Sequence, residues 1–94
     1  MLFTWNHDKA EANNKKHGIS FELAVTIFND PFHLSVLDRK KGKEERWVSI
    51  GLAADKQTLV VVHLYRELGT KEFVKIISAR KATRKEKKEY EEGI

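Results

Sequence analysis

The spacing of apolar positions changes once along the chain, dividing a helical N-terminal part from a strand-forming remainder. Leu2 to Trp5 is a short β-prone start. Asn6 then offers a side-chain oxygen as N-cap and Asp8 complements the positive end of a helix, predicted from about His7 to His17 and closed by Gly18. That helix carries only Ala10 and Ala12 as apolar residues, so Trp5 and neighbouring elements must hold it. Ser20 caps a second helix in which Phe21, Ala24, Val25 and Phe28 recur at i, i+3, i+4 and i+7. Asn29-Asp30-Pro31 stops it, because proline cannot continue the hydrogen-bond ladder.

From Phe32 onward, short β-prone runs alternate with turn chemistry, the mark of an antiparallel meander. The spacing predicts strands over about Phe32 to Leu37, Glu44 to Leu52, Thr58 to Arg66 and Glu72 to Arg80. The breaks are Asp38 to Lys43, Ala53 to Gln57 and Glu67 to Lys71. Leu59-Val60-Val61-Val62 lacks alternation, which suits a mid-sheet strand covered on both faces. Thr83-Arg84-Lys85-Glu86 has the form of a capping box and opens a last helix to about Glu92, with Gly93 as its stop. The expected fold is α+β: a short N-terminal strand, two helices, a four-stranded antiparallel meander and a C-terminal helix. At 94 residues the sequence is read as one domain, 1–94, built on one modest core.

Composition narrows the function. There is no cysteine, no apolar run of membrane-spanning length and no basic-then-apolar leader pattern, so a cytoplasmic location is expected. Lys and Arg number 18 against 14 Asp and Glu, a net charge of +4 that favours a polyanion or an acidic protein as partner. A glycine-rich phosphate loop, a cysteine nucleophile and an H-E-x-x-H motif are all absent. His7, His17, His33 and His63 include no i, i+4 pair, and neither metal nor cofactor is expected. What remains is Arg, Lys, His and Glu beside strands, which suits RNA cleavage without metal and suits a binding surface equally.

Hairpin arithmetic places Arg46 opposite His63 and His63 opposite about Lys75, a cross-strand row on one sheet face. The competing reading is that this face is open to solvent and carries no site. Arg80 and Arg66 end their strands at opposite ends of the pair, so they do not grip one phosphate together. Lys81, Arg84 and Lys85 near Arg80 would form a phosphate-tracking patch at the start of the last helix. Arg80 is alternatively a structural ion-pair partner of Glu86 or Glu89. Glu45 is either an ordinary exposed strand residue or a group orienting an arginine. Tyr90, Trp5 and Trp47 read as packing residues before they read as catalytic or base-stacking ones.

Together these segments resemble a family. Phe3-x-Trp5 followed by Lys9-Ala10-x-x-Asn13-x-x-Lys16-His17-Gly18 looks like the N-terminal signature of BrnT toxins, and Phe21, Ala24, Phe28 and Asp30 continue it. Glu45-Arg46, Ile50-Gly51, Val61-Val62, Ile76-Ile77-Ser78-Ala79-Arg80-x-Ala82, Glu86 and Tyr90 then match in order. Asn6 stands where the family often has Asp, and His63 where it often has Tyr. The resemblance implies a RelE-like fold and a metal-independent ribonuclease that inhibits translation. It also implies a BrnA-type antitoxin in a hetero-oligomer, with DNA reached only through that antitoxin. The candidate catalytic residues are Glu45, Arg46, His63, Arg66, Lys75 and Arg80, and Lys16, His17, Lys81, Arg84 and Lys85 would assist RNA binding. The alternatives are a non-catalytic nucleic-acid- or protein-binding module and a degenerate toxin that binds antitoxin without cleaving.

Overall fold

A computed structural model describes residues 1–93. The elements run β1 (Leu2–Trp5), α1 (His7–His17), α2 (Phe21–Ala24), a 3₁₀ turn (Val25–Asn29), β2 (Leu34–Lys41), β3 (Glu44–Leu52), β4 (Thr58–Leu68), β5 (Lys71–Lys81) and α3 (Arg84–Glu92). Among the described residues the sheet has five strands, in the order β1-β5-β4-β3-β2. The meander is as expected; in addition β1 joins it, parallel to β5, with Leu2 opposite Phe73 and Trp5 opposite Ile76. The class is α+β. Among the described residues no helix is long and apolar enough to cross a membrane.

Local chemistry sets the helix ends. The Asn6 side chain accepts from the Lys9 amide at 3.0 Å and that of Ser20 from the Leu23 amide at 3.1 Å. Gly18 and Gly93 close α1 and α3 in the left-handed region, at φ 69° and 74°. The capping box of α3 is complete: Thr83 Oγ1 accepts from the Glu86 amide while Glu86 accepts from the Thr83 amide. α1 is held as its sparse apolar content requires, by a polar anchor. Asn13 is buried, donates to the carbonyls of Ile19 and Ala79 at 3.1 and 2.8 Å, and accepts from the Ala79 amide at 3.1 Å.

The second helix differs from expectation. After Ala24 it tightens to 3₁₀, where three residues make a turn, so Phe21, Ala24 and Ile27 fall in line and are fully buried, while Val25 and Phe28 are half-buried. The tight turn also lies close to β3. A Cβ on Gly51 would stand 3.0 Å from the Cβ atoms of Ile27 and His33 and 3.2 Å from the Ile27 carbonyl. Glycine there is what permits that approach.

Two breaks are shorter than the sequence suggests. β2 reaches Lys41 and pairs it with Glu44, and β4 reaches Leu68 and pairs it with Lys71, leaving two-residue turns opened by Gly42 and Gly69 at φ 61° and 62°. The run Asp38 to Lys41, whose charge suggests a loop, is the outer part of an edge strand, where charge discourages edge-to-edge pairing. β4 is the middle strand, with Leu59, Val60 and Val61 buried. The core lies on the face carrying α1 and α2, where Ile19, Phe21, Ala24, Ile27, Leu59, Val61, Val74, Ile76 and Ala79 pack together.

Candidate active site

Strand register decides which side chains share a face. The expected row of Arg46, His63 and Lys75 does not form, because both hairpins are displaced by one residue: Arg46 lies opposite Leu64, and Leu64 opposite Lys75. A one-residue displacement moves a strand's side chains to the other face. Arg46 and Lys75 therefore do share a row, with Leu64 between them, and Arg39 of β2 extends it opposite Arg46. Thr4 of β1 completes it opposite Lys75.

His63 belongs to the other face. It sits between Trp47 and Ile76 in register, is 4 % exposed, and packs under the edge of the Phe28 ring, with centroids 5.0 Å apart. Its Nε2 hydrogen-bonds the Ser49 hydroxyl at 2.8 Å, which in turn meets the Ser35 hydroxyl at 2.7 Å; its Nδ1 has no partner among the described residues. Burial pushes the imidazole down to about 4, so it is neutral near pH 7. It cannot exchange protons with a substrate on the Arg46 face.

The face opposite α1 and α2 is only partly covered. α3 lies across its lower end, where Tyr90, Glu86 and Glu89 border a hollow of about 160 Å³ over Leu34, Val36, Val48, Ile50 and Val60. Tyr90 is the packing residue expected, and its hydroxyl also donates to Asp30 Oδ2. Asp30 is a junction: its carboxylate also accepts from the amides of Leu52 and Phe32 at 2.8 and 2.9 Å. Burial opposes its ionisation, but these bonds outweigh it and hold the carboxyl below its usual range. The Tyr90 hydroxyl is raised to about 12 by burial and by the Asp30 carboxylate.

Arg80 takes the structural alternative. Its guanidinium grips Glu86 with two hydrogen bonds, at 2.7 and 2.9 Å, and reaches the Lys81 carbonyl at 3.2 Å. Those bonds bring the Glu86 carboxyl down to about 2. The pair fastens the first turn of α3 to β5. Arg80 lies opposite Val60, whereas Arg66 lies opposite Phe73 at the other end of the hairpin, as expected. From Arg80 to Lys75 the chain runs about 17 Å at the usual rise per strand residue.

Beyond α3 the same face turns cationic. Arg39, Lys41, Glu44, Arg46 and Leu64 line a shallow hollow of about 160 Å³, and Arg66 shares this face by alternation with Leu64. Arg46 Nε stands 3.5 Å from Asp38, at ion-pair distance without a hydrogen bond. Among the described residues Lys75 is exposed and enters no ion pair.

Glu45 lies on the opposite face, where it accepts from Trp47 Nε1 at 2.9 Å and pairs with Lys40 at 3.8 Å, so it does not orient Arg46. Lys81, Arg84 and Lys85 are exposed around the start of α3, and Lys16 and the half-buried His17 end α1. Arg39 and Asp30 escape a choice of site residues made from sequence: Arg39 falls in a stretch whose charge suggests a loop, and Asp30 signals only a helix stop. Alternation through Leu34 and Val36 points to Asp38, and Arg39 comes opposite Arg46 only because the register shifts between Leu37 and Arg39, an irregularity with no signature in the sequence.

These features define a small α+β protein with a partly open, cationic sheet face bordered by its C-terminal helix. The chain belongs to the BrnT family: the family model described as ribonuclease toxin, BrnT, of type II toxin-antitoxin system matches residues 5–86. No curated protein matches the chain.

Proposed function

We propose that this member of a ribonuclease toxin family cleaves RNA without metal on the cationic sheet face, in the cytoplasm, to inhibit translation, and that the architecture is RelE-like. The observation that supports the reading is the row of Arg39, Arg46 and Lys75 around Leu64 on an accessible surface. In such a reaction the 2′-hydroxyl gives its proton to solvent water as its oxygen forms a bond to phosphorus, and the bond to the 5′-oxygen breaks. The products are a 2′,3′-cyclic phosphate and a 5′-hydroxyl. Arg46 and Lys75 would stabilise the added charge on phosphorus, and Lys75 would give a proton to the leaving oxygen. Arg80 would act through Glu86, fixing α3 at the border of the site. Lys81, Arg84 and Lys85 would track phosphates, and the partner would be a BrnA-type antitoxin whose acidic segment covers the cationic face.

The test is cleavage by the purified chain. Activity should persist in EDTA, leave the cyclic phosphate and fail on a 2′-deoxy substrate. Arg46→Ala and Lys75→Ala should lower the rate by about 10²-fold while RNA binding weakens far less, because a cation aimed at developing charge acts mainly in the transition state. Arg84→Ala should instead weaken binding and reduce its salt dependence. Strict dependence on Mg²⁺, or cleavage of the deoxy substrate, would overturn the mechanism.

A further inference from the structure

The end of the sheet that carries the Gly42 and Gly69 turns has a second, contrasting surface on the helix-bearing face. Glu67 of β4 lies directly opposite Glu72 of β5, a like-charged cross-strand pair that is destabilising unless something compensates it. Both carboxylates accept from one donor, the Tyr65 hydroxyl, at 3.1 and 2.7 Å. Among the described residues no Lys, Arg or His stands within ion-pair distance of either. In a chain of net charge +4 this is an anomaly: a cation site with no cation of its own.

The same Tyr65 ring borders a hollow of about 180 Å³ with Met1, Phe28, His33, Trp47 and Val74. His63, with its unpartnered Nδ1, and Ser35 also line it. Exposed apolar side chains extend it outward: Met1, Phe3 and Leu37 are 59, 37 and 44 % exposed. An apolar socket large enough for one side chain thus adjoins a pair of uncompensated carboxylates.

We propose that this surface docks a segment of the antitoxin, with an arginine or lysine seated between Glu67 and Glu72 and a neighbouring apolar side chain in the hollow. The inference rests on the reading of the chain as a toxin with an antitoxin partner, and it adds a contact on the face away from the cationic row. RNA does not fit here, because its phosphates would meet two carboxylates. A second copy of this chain has cations to offer, but those lie on a different surface, and such a head-to-tail contact does not close into a dimer. A segment wrapping the free end of the sheet could touch both faces, acidic residues on Arg46 and Lys75 and a basic-apolar anchor behind them.

The test titrates the purified chain with the protein encoded beside it, using calorimetry at low and high salt. Glu67→Gln/Glu72→Gln should weaken binding about 10-fold or more at low salt, with the gap narrowing as salt rises. Cleavage of saturating RNA by the free variant should be unchanged, and circular dichroism should confirm its fold. Glu72→Lys should weaken binding further and be rescued by reversing the antitoxin's cation to glutamate. Wild-type affinity in the double variant, absence of binding to the intact chain, or self-association of the free chain that depends on Glu67 and Glu72 would each overturn the proposal. Its fate is separable from that of the nuclease reading: a chain that fails to cleave RNA yet binds antitoxin through these glutamates refutes the latter alone.

Discussion

Replacing His63 by glutamine removes a buried titrating group without removing a polar partner for Ser49, and its effect on stability should depend on pH. In the folded chain burial keeps the imidazole neutral down to about pH 4, whereas an unfolded histidine protonates near its ordinary value of 6.5. Between these two values the unfolded state binds more protons, so stability is lost as pH falls from 6.5 toward 4. Each tenfold rise in proton concentration within that window costs about 1.4 kcal/mol, so moving from pH 7 to pH 5 should cost about 2 kcal/mol from this residue alone. In urea melts that is a fall in midpoint of roughly 1 M for a chain of this size. The assay is equilibrium unfolding followed by tryptophan fluorescence at both pH values, wild type against His63→Gln. The variant should be less stable at pH 7, where it loses ring packing against Phe28, and should show a drop between the two pH values smaller by about 2 kcal/mol. Parallel pH curves would refute the argument, because they would mean that the imidazole is solvated and free to titrate in the fold.

Three further outcomes follow from single contacts. Asn13→Ala strands the Ala79 amide and two carbonyls in a buried site and should cost about 2–4 kcal/mol, read as a lowered unfolding midpoint. Gly51→Ala forces a methyl against Ile27 and His33 and should cost about 1–3 kcal/mol; a variant as stable as wild type would show that the 3₁₀ turn shifts freely. Glu86→Gln should reduce cleavage through loss of α3 docking, visible as increased amide exchange over residues 84–92, whereas unchanged exchange would assign Arg80 some other role.

Element order, helix caps and the central strand were legible because each rests on local chemistry: Asn6, Ser20 and Thr83 cap where they stand, and Pro31 breaks where it stands. The 3₁₀ tightening was not, since Phe21, Ala24 and Ile27 fit a period of three and Phe21, Ala24, Val25 and Phe28 fit an α-helix equally well. Ile27 was consequently missed as a core residue. Strand ends near Lys41 and Leu68 were hidden by charge, which marks loops and guarded edges alike. The candidate site was half legible. Arg46 and Lys75 do fall in one row, but the residue between them is Leu64 and not His63, because turn length sets register and each hairpin pairs one residue away from the arithmetic. The extra residue at the β4–β5 irregularity, where pairing steps from Val62 with Ser78 to His63 with Ile76, has no signature in the local sequence.

That displacement carries a consequence for how the molecule separates its partners. Adjacent residues on a strand point to opposite faces, so Glu45-Arg46 and Arg66-Glu67 put a carboxylate on one side of the sheet and a guanidinium on the other. The outer end of the sheet is therefore polarised across its thickness: Arg39, Arg46, Arg66 and Lys75 outnumber Asp38 and Glu44 on one face, and Glu45, Glu67 and Glu72 outnumber Lys40 on the other. A polyanion meets net attraction from one side, while the carboxylates on the other act on it through the strands, where no mobile ions enter, and most strongly at low salt, since the screening length in solvent is about 10 Å at 0.1 M. The carboxylates behind the cationic face must then weaken its pull on RNA from a distance. Neutralising Glu67 and Glu72 should strengthen RNA binding at low salt, modestly and without altering the cleavage products. Occupation of those carboxylates by a partner's cation would act on the RNA face in the same direction. If RNA binds the cationic face as proposed, an antitoxin that silences the toxin has to cover Arg46 and Lys75 directly, because holding the acidic face alone would favour the substrate.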